Sequence, residues 1–158
     1  MKNMMGISVL GIALRPVKEG PMAQVDQAQA TVESGLVGDH GRSARRGVTL
    51  LANGQWREVR RELGVDLPWH TRRANILVDA DSLGPWIGRT ISIGEVIVEV
   101  LGENDPCPKM DRQFMGLRKA LQPACRGGVY GRVVKSGVIR IGDVITIQGE
   151  DTATESPA

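Results

Sequence analysis

The stretches Ile91-Ser-Ile-Gly-Glu-Val-Ile (residues 91–97) and Ile139-Arg-Ile-Gly-Asp-Val-Ile (residues 139–145) follow one pattern, Ile-x-Ile-Gly-acid-Val-Ile. Each surrounds a glycine with β-branched residues, which predicts a strand, a glycine kink and a second strand. Small barrels turn their corners with such kinks. The shared pattern is too short to indicate a solenoid repeat. The two stretches therefore predict a β-rich barrel or sandwich.

Other short apolar segments add strands to this pattern. They are bounded by turn residues such as the Gly, Pro and charged residues between positions 16 and 21. The predicted fold class is therefore mainly β with α, a β-barrel decorated by two or more helices. The further strands are Gly6 to Leu14, Ala23 to Val32, Val48 to Ala52, Asn75 to Val78, Val96 to Leu101 and Gly131 to Val134.

Two segments carry apolar residues at helical spacing between a capping residue and a stop signal. Asn53 offers an N-cap oxygen to the first helix, which ends at Gly64. Asp111 offers one to the second helix, which Pro123 stops. The apolar positions that support the helices are Trp56, Val59 and Leu63 in the first, and Met115, Leu117 and Leu121 in the second.

Length and composition favour one cytoplasmic domain. The 158 residues are enough for a single core, which we expect over residues 1–148, and the polar segment 149–158 is too poor in apolar residues to fold. Two cysteines form no disulfide framework, which favours a reducing compartment. No apolar run approaches the roughly 20 residues of a membrane span, so we expect no membrane partner.

The charged residues favour a small anionic ligand over nucleic acid. Of the 20 basic residues, 15 are arginine, whose planar fork suits phosphate and carboxylate groups. A GC-rich genome would explain the same bias. One Tyr and one Phe give little material for base stacking, so we expect no nucleic-acid partner.

Cys107 lies between two prolines in the stretch Asn104-Asp-Pro-Cys-Pro-Lys-Met-Asp (residues 104–111). Pro106 removes a backbone donor and Pro108 keeps Cys107 extended, so the segment is a surface loop with a reachable sulfur. The predicted helix start and the bases Lys109 and Arg112 favour a thiolate, whereas the neighbouring aspartates oppose it. The alternative is that Cys107 is a small apolar residue in a turn.

The other candidate groups are less specific. Cys125 is expected to fill space, with a resolving role toward Cys107 as the alternative. Two histidines and two scattered cysteines show no zinc spacing. Arginines near several predicted strands would meet at a barrel rim, although surface solvation is the simpler interpretation for any one of them. These arginines lie in residues 42–46, at 72–73, and at Arg126 and Arg132.

An ordered set of short motifs resembles the MOSC domain, the module named for the C-terminal part of molybdenum-cofactor sulfurases. The resemblance covers about residues 6–147. Its motifs are Gly35-Leu-Val-Gly-Asp-His, Arg46-Gly-Val-Thr-Leu-Leu, Arg73-Ala-Asn-Ile-Leu-Val, Leu83-Gly-Pro-Trp-Ile-Gly, Ile93-Gly, Pro106-Cys107, Gly128-Val-Tyr-Gly-Arg-Val, Gly137 and Gly142-Asp143.

The resemblance implies a barrel like that of the small domain of pyruvate kinase, and a cysteine that acts at a molybdenum cofactor. Cys107 matches that cysteine, as a persulfide carrier or as a molybdenum ligand. A soft thiolate suits such a metal, and arginines suit a pterin that bears phosphate. The other residues that the resemblance implies for cofactor binding are Asp39, His40, Arg46, Thr49, Arg73, Asn75, Lys109 and Asp111.

Three functions follow as hypotheses. The first is a protein that binds the pterin–molybdenum cofactor, with the loop from Gly35 to Gly41 closing over it and a sulfur donor or electron-transfer protein as partner. The second is a reductase of N-hydroxylated compounds, and the third is a non-catalytic barrel that binds an anion or a protein. We expect no pyridoxal phosphate, because these 158 residues leave no room for the domain that binds it in sulfurases, and we expect a stand-alone member.

Overall fold

The structure is a computed structural model, and it describes residues 6–148. The tail predicted over residues 149–158 lies outside the described residues. The strands are β1 Ile7–Leu14, β2 Ala23–Val25, β3 Gln27–Thr31, β4 Gly35–Leu36, β5 Val48–Ala52, β6 Ile76–Val78, β7 Thr90–Ile93, β8 Val96–Glu103, β9 Val129–Lys135, β10 Gly137–Arg140 and β11 Val144–Gln148. The helices are α1 Asn53–Leu63, α2 Lys109–Gln113 and α3 Leu117–Leu121, and 3-10 turns cover Trp69–Arg72, Gly84–Trp86 and Pro123–Cys125.

Seven strands close into a barrel in the order β11-β7-β8-β9-β5-β6-β1. The barrel closes where Ile7 of β1 lies opposite Ile145 of β11. The pair β5 and β6 is parallel, and the other neighbours are antiparallel. Strand β2 extends the edge of β1, while β10, β3 and β4 form a separate small sheet. The prediction of a mainly β barrel decorated by helices is confirmed.

Both Ile-x-Ile-Gly-acid-Val-Ile stretches form a strand, a turn at glycine and a second strand. In the first, Gly94 has a φ of 58° and joins β7 to β8 as neighbours in the barrel. In the second, Gly142 has a φ of 93° and carries the chain from the small sheet into the barrel strand β11. The second stretch is therefore the corner that the sequence predicts, and the first is a hairpin.

Two apolar clusters stabilise the fold, one inside the barrel and one between the barrel and the helices. Strand β5 is buried on both faces because it separates them. Leu50 packs in the barrel interior, whereas its neighbour Leu51 packs outside against Trp56 of α1 and Leu117 of α3. The helices are thereby fixed against the wall formed by β5 and β6.

Two local predictions in the first half of the chain needed correction. The strand predicted from Ala23 to Val32 is two strands, because residues 23–25 pair with β1 whereas residues 27–31 pair with β10 of the other sheet. Asn53 is the first residue of α1 rather than its cap, and the N-cap position belongs to Ala52 without a side-chain hydrogen bond. Helix α1 ends at Gly64, as predicted, in the left-handed conformation.

The helix predicted after Asp111 is divided into two short helices. Asp111 lies inside α2, and Gly116, with a φ of 94°, separates α2 from α3. The Asp111 Oδ1 atom accepts hydrogen bonds from the backbone N–H groups of Gly116 and Arg118, at 3.2 and 3.1 Å. Asp111 therefore caps the following helix rather than its own. The described residues contain no helix that is both long enough and apolar enough to span a membrane.

Candidate functional site

One end of the barrel carries an open cleft of about 450 Å³. Strand β1 runs antiparallel to β6, and β5 runs parallel to β6, so the end of β1 and the starts of β5 and β6 meet at this end. The segment that follows β8 completes the wall. The lining residues are Arg15, Glu19, Arg42, Arg46, Thr49, Arg72, Arg73, Asn104, Asp105, Cys107, Lys109, Met110, Arg112 and Gln113.

The cleft is strongly cationic and has a thiol in its wall. Seven of its lining side chains are Arg or Lys and two are acidic. Cys107 is exposed and free, in agreement with the prediction that the Pro-Cys-Pro segment is a surface loop with a reachable sulfur. The cavity is within the size range of small-molecule pockets. An anionic ligand that also reacts with or coordinates sulfur fits this combination.

Arg72 is a buried cation that holds the Cys107 loop in place. Its side chain is bonded through Nε to the Gly127 carbonyl (3.0 Å) and through Nη2 to the Asn104 carbonyl (2.6 Å). Its Nη1 lies 3.4 Å from the sulfur of Met110. Burial lowers the pKa of Arg72 to about 10, and negative charge on Cys107 and Asp105 acts in the opposite direction. The residues before and after Cys107 are thus fixed to one guanidinium.

Asp39 organises a second group of arginines. Its carboxylate, with a side chain 3% exposed, accepts a 2.6 Å hydrogen bond from the backbone N–H of Arg15 and pairs with Arg42 Nε at 2.9 Å. Arg15 Nη2 also donates to the His40 carbonyl at 2.8 Å. Burial lowers the pKa of Arg42, although Asp39 opposes the shift. Within residues 6–148, the buried atoms Arg42 Nη1 and Arg15 Nε have no hydrogen-bond partner.

Arg46 has a fixed orientation at the cleft. Its guanidinium carbon lies 3.9 Å from the centre of the Tyr130 ring, and its Nη2 donates a 3.1 Å hydrogen bond to Asn104 Oδ1. The backbone N–H of Arg46 donates to Ser43 Oγ at 3.1 Å, which tightens the turn before β5. The guanidinium therefore lies over an aromatic face, just before the start of β5.

The loop between β1 and β2 reaches across the cleft. Glu19 pairs with Lys109 at 3.7 Å, which joins this loop to the start of α2. The Arg73 guanidinium donates through Nη2 to the Gly20 carbonyl. Burial lowers the pKa of Arg73, and the nearby charge of Arg15 lowers it further. The loop is thus bonded to two walls of the cleft.

Comparison with known proteins identifies the fold family. Residues 37–146 match the MOSC domain. The chain belongs to the MOSC domain family. The family is associated with the molybdenum cofactor, and the resemblance predicted from the sequence motifs is confirmed.

Three solved structures are similar to this MOSC domain. The YUAD protein from Bacillus subtilis has a TM-score of 0.72 and 19% identity, covering 88% of this chain and 94% of that chain. YiiM from Geobacillus stearothermophilus has a TM-score of 0.73 and 15% identity, covering 89% and 74%. YiiM from Escherichia coli has a TM-score of 0.68 and 17% identity, covering 89% and 69%. These similarities show the fold alone, and the curated proteins contain no match.

The cleft of this MOSC domain gathers some of the residues predicted from the sequence but not others. Asp39 does not line the cleft, but it contacts two residues that do, Arg15 and Arg42. His40 and Asp111 do not line the cleft either. Cys107, Arg46, Thr49, Arg73 and Lys109 line it.

Asn75 has a structural position. It is 2% exposed and joins strands β1, β5 and β6. Its Oδ1 accepts from the backbone N–H and the hydroxyl of Thr49, at 3.1 and 3.2 Å, and its Nδ2 donates to the Ala13 carbonyl at 3.2 Å. The side chain is committed to these groups, so its contribution to the cleft is to hold Thr49 and the strand ends in register.

Two of the arginines that were predicted to meet at the barrel rim lie elsewhere. Arg126 pairs with Glu62 of α1 at 2.7 Å, and Arg132 pairs with Glu99 of β8 at 2.6 Å. Neither lines the cleft.

Cys125 is half-buried, and burial raises the pKa of its thiol to about 11, with Glu103 and Asp105 adding to the shift. Cys125 is therefore an uncharged neighbour of the core.

Sequence reasoning missed Arg15, Asn104 and the part played by Tyr130. Arg15 follows directly after the first predicted strand, a position at which loop residues reach a barrel rim, and this is the signal that would have found it. Asn104 opens the cysteine loop but has no unusual spacing. Tyr130 lies within strand β9, opposite Gly102 of β8. Only the folded barrel brings its ring next to the cleft residue Arg46.

Proposed function

We propose that this MOSC domain binds a molybdenum–pterin cofactor in the cationic cleft, with Cys107 as a persulfide sulfur carrier or as a molybdenum ligand. The observation that carries the proposal is an exposed thiol in a cleft lined by seven cationic side chains. When bound, the cofactor would supply a molybdenum centre with oxygen or sulfur ligands to exchange.

The residues of the cleft fit such a group. A thiolate is the soft ligand that suits a thiophilic metal, and guanidinium groups bind phosphate through paired N–H donors. Arg42 Nη1 and Arg15 Nε are buried donors without a partner among the described residues, as expected where an anion would complete the hydrogen bonding. Arg15, Arg42, Arg46 and Arg73 would hold the anionic part, and Cys107 would face the metal.

Sulfur carriage needs a donor persulfide. The Cys107 thiolate would attack the outer sulfur of that donor, forming a new S–S bond, while the donor leaves as its own thiolate. The sum of thiolates and persulfides is unchanged, so no external oxidant or reductant takes part. Arg72 fixes the loop on both sides of the sulfur, which keeps the nucleophile in the wall of the cleft.

The test compares the protein with two matched cysteine variants after expression with ample molybdate. Metal analysis measures bound molybdenum, and mass spectrometry searches the Cys107 peptide for a persulfide increment of about 32 Da. Loss of molybdenum in Cys107→Ser but not in Cys125→Ser supports ligation. A persulfide on Cys107 with the metal retained in Cys107→Ser supports carriage.

The opposite result would remove the proposal. If the purified protein holds neither molybdenum nor pterin, and Cys107 carries no persulfide after treatment with a low-molecular-weight persulfide, the cleft serves another anion. In that case the protein would be the non-catalytic anion-binding barrel. If instead Cys107→Ser and Cys125→Ser both keep full cofactor and the Cys107 peptide has no added sulfur, the cofactor site stands and the roles given to Cys107 are wrong.

A further inference from the structure

Two uncharged neighbours orient the Arg46 side chain at the cleft. The Tyr130 ring lies under the guanidinium at 3.9 Å, and Asn104 Oδ1 accepts from Nη2 at 3.1 Å. No carboxylate among residues 6–148 pairs with Arg46, in contrast to Arg42, which pairs with Asp39. The positive charge of Arg46 is therefore left for a ligand while its position is fixed.

Tyr130 is itself held by the barrel. It is the only tyrosine of the chain and lies in β9, opposite Thr49 of β5 and Gly102 of β8. A Cβ atom at Gly102 would lie 3.1 Å from Tyr130 Cε1, which is a tight contact with the edge of the ring. Arg45 Nη2 lies 3.4 Å from the Tyr130 hydroxyl. The absence of a side chain at Gly102 thus leaves room for the ring.

We propose that Tyr130 is a positioning residue, which holds the Arg46 guanidinium ready for a phosphate-type anion in the cleft. The inference deepens the proposed function and rests on it. A guanidinium over an aromatic face is attracted by the ring, and a donor fixed before binding loses less side-chain freedom when the ligand arrives. An unsupported arginine at the same place would lose more rotamer freedom on binding and would bind the anion more weakly.

The ring, rather than the hydroxyl, makes this contact. The distance from Arg46 is measured to the ring centre, whereas the hydroxyl is near Arg45. Tyr130→Phe should therefore keep the position of Arg46, and Tyr130→Leu should lose it. Gly102→Ala provides an independent variant, because its Cβ atom would press on the edge of the ring and require a shift of a few tenths of an ångström without changing the ring itself.

The experiment measures pyrophosphate binding by isothermal titration calorimetry at low ionic strength. We expect Tyr130→Leu to raise the dissociation constant about two- to five-fold, Gly102→Ala to raise it by less, and Tyr130→Phe to bind pyrophosphate as tightly as the unsubstituted protein. The same Tyr130→Leu substitution is then made in an Arg46→Ala background. If Tyr130 acts through Arg46, it has no further effect there.

The outcomes separate this inference from the proposed function. Equal losses from Tyr130→Leu in both backgrounds, or no loss in either, would overturn the inference alone. A Tyr130→Phe variant as weak as Tyr130→Leu would do the same, since it would implicate the hydroxyl. Failure of the unsubstituted protein to bind pyrophosphate would overturn the anion site and the inference with it. Thermal melting of each variant checks that the barrel is folded.

Discussion

Arg72 Nη2 donates a 2.6 Å hydrogen bond to the carbonyl of Asn104, three residues before Cys107. The same guanidinium bonds Gly127 at the entry to β9 and lies 3.4 Å from the sulfur of Met110, after the cysteine. The geometry of the cysteine loop therefore depends on a buried side chain from a different part of the barrel. A thiol so placed is fixed although its own segment is an irregular loop.

Replacement of Arg72 by Met is expected to destabilise the fold. Arg72 is 5% exposed, and its removal leaves the carbonyls of Asn104 and Gly127 without their donor. An unsatisfied buried group costs about 1–3 kcal/mol, so we expect the free energy of unfolding to fall by about 2–4 kcal/mol. Urea denaturation measures the change. Arg57→Met, on the exposed face of α1, is the control, and equal effects of the two variants would contradict the structural role of Arg72.

Asn75→Ala is expected to weaken the barrel as strongly as a core substitution. The side chain bonds Thr49 and Ala13 across strands β5, β6 and β1, and it is only 2% exposed. We expect a loss of about 2–4 kcal/mol in unfolding free energy. Gln29→Ala, at an exposed position of β3, should change it by less than about 0.5 kcal/mol. A stable Asn75→Ala protein that has lost only ligand binding would assign Asn75 to the ligand instead.

A methyl group at Gly128 is expected to prevent normal closure of the barrel wall. Gly128 has a φ of 93°, and a Cβ atom there would overlap the carbonyl oxygen of Leu50 in β5. The strands would have to separate, so we expect Gly128→Ala to cost more than about 3 kcal/mol. Gly64→Ala is the matched control, because Gly64 is also left-handed, with a φ of 71°, but has open space around it. Its cost should be about 1–2 kcal/mol from backbone strain alone. Similar melting temperatures for both variants would contradict the contact with Leu50.

The two thiols are expected to differ in their reaction with iodoacetamide. Burial raises the pKa of Cys125 to about 11, so little of it is thiolate at pH 8.5, whereas Cys107 is exposed. Peptide mass spectrometry should show Cys125 labelled at least about ten-fold more slowly in the native protein than in urea. Equal labelling of Cys125 in both conditions would show that the thiol is not protected by the fold.

The raised pKa of Cys125 also gives a pH dependence of stability. The unfolded thiol titrates near the ordinary value of 9.0 and the folded thiol near 11, so the folded state holds the additional proton between these values. The stability contribution is complete below about pH 9 and declines as the pH rises toward 11. Cys125→Ala should remove this part of the slope when unfolding free energy is followed over that range.

The local pattern of the sequence predicted much of the barrel. The β-branched residues on either side of Gly94 and Gly142 predicted strands joined by turns, and these predictions are confirmed. They could be made because a strand or a turn depends mainly on residues that are adjacent in sequence. The division of residues 23–31 between two sheets was not predictable in this way. Its cause is the pairing of β2 with β1 and of β3 with β10, which are partners distant in sequence.

The sequence by itself determined the family and the class of fold, because the motifs and their order can be read along the chain. It also determined an exposed Cys107, because the flanking prolines act on the backbone beside them. Only the tertiary structure decided which arginines accompany that sulfur. Arg15, Arg42 and Arg72 converge on the cleft, whereas Arg126 and Arg132 pair with acids elsewhere. The physical reason is that barrel closure brings together strand ends far apart in sequence, and each guanidinium then takes the partners available where its own strand or loop is placed.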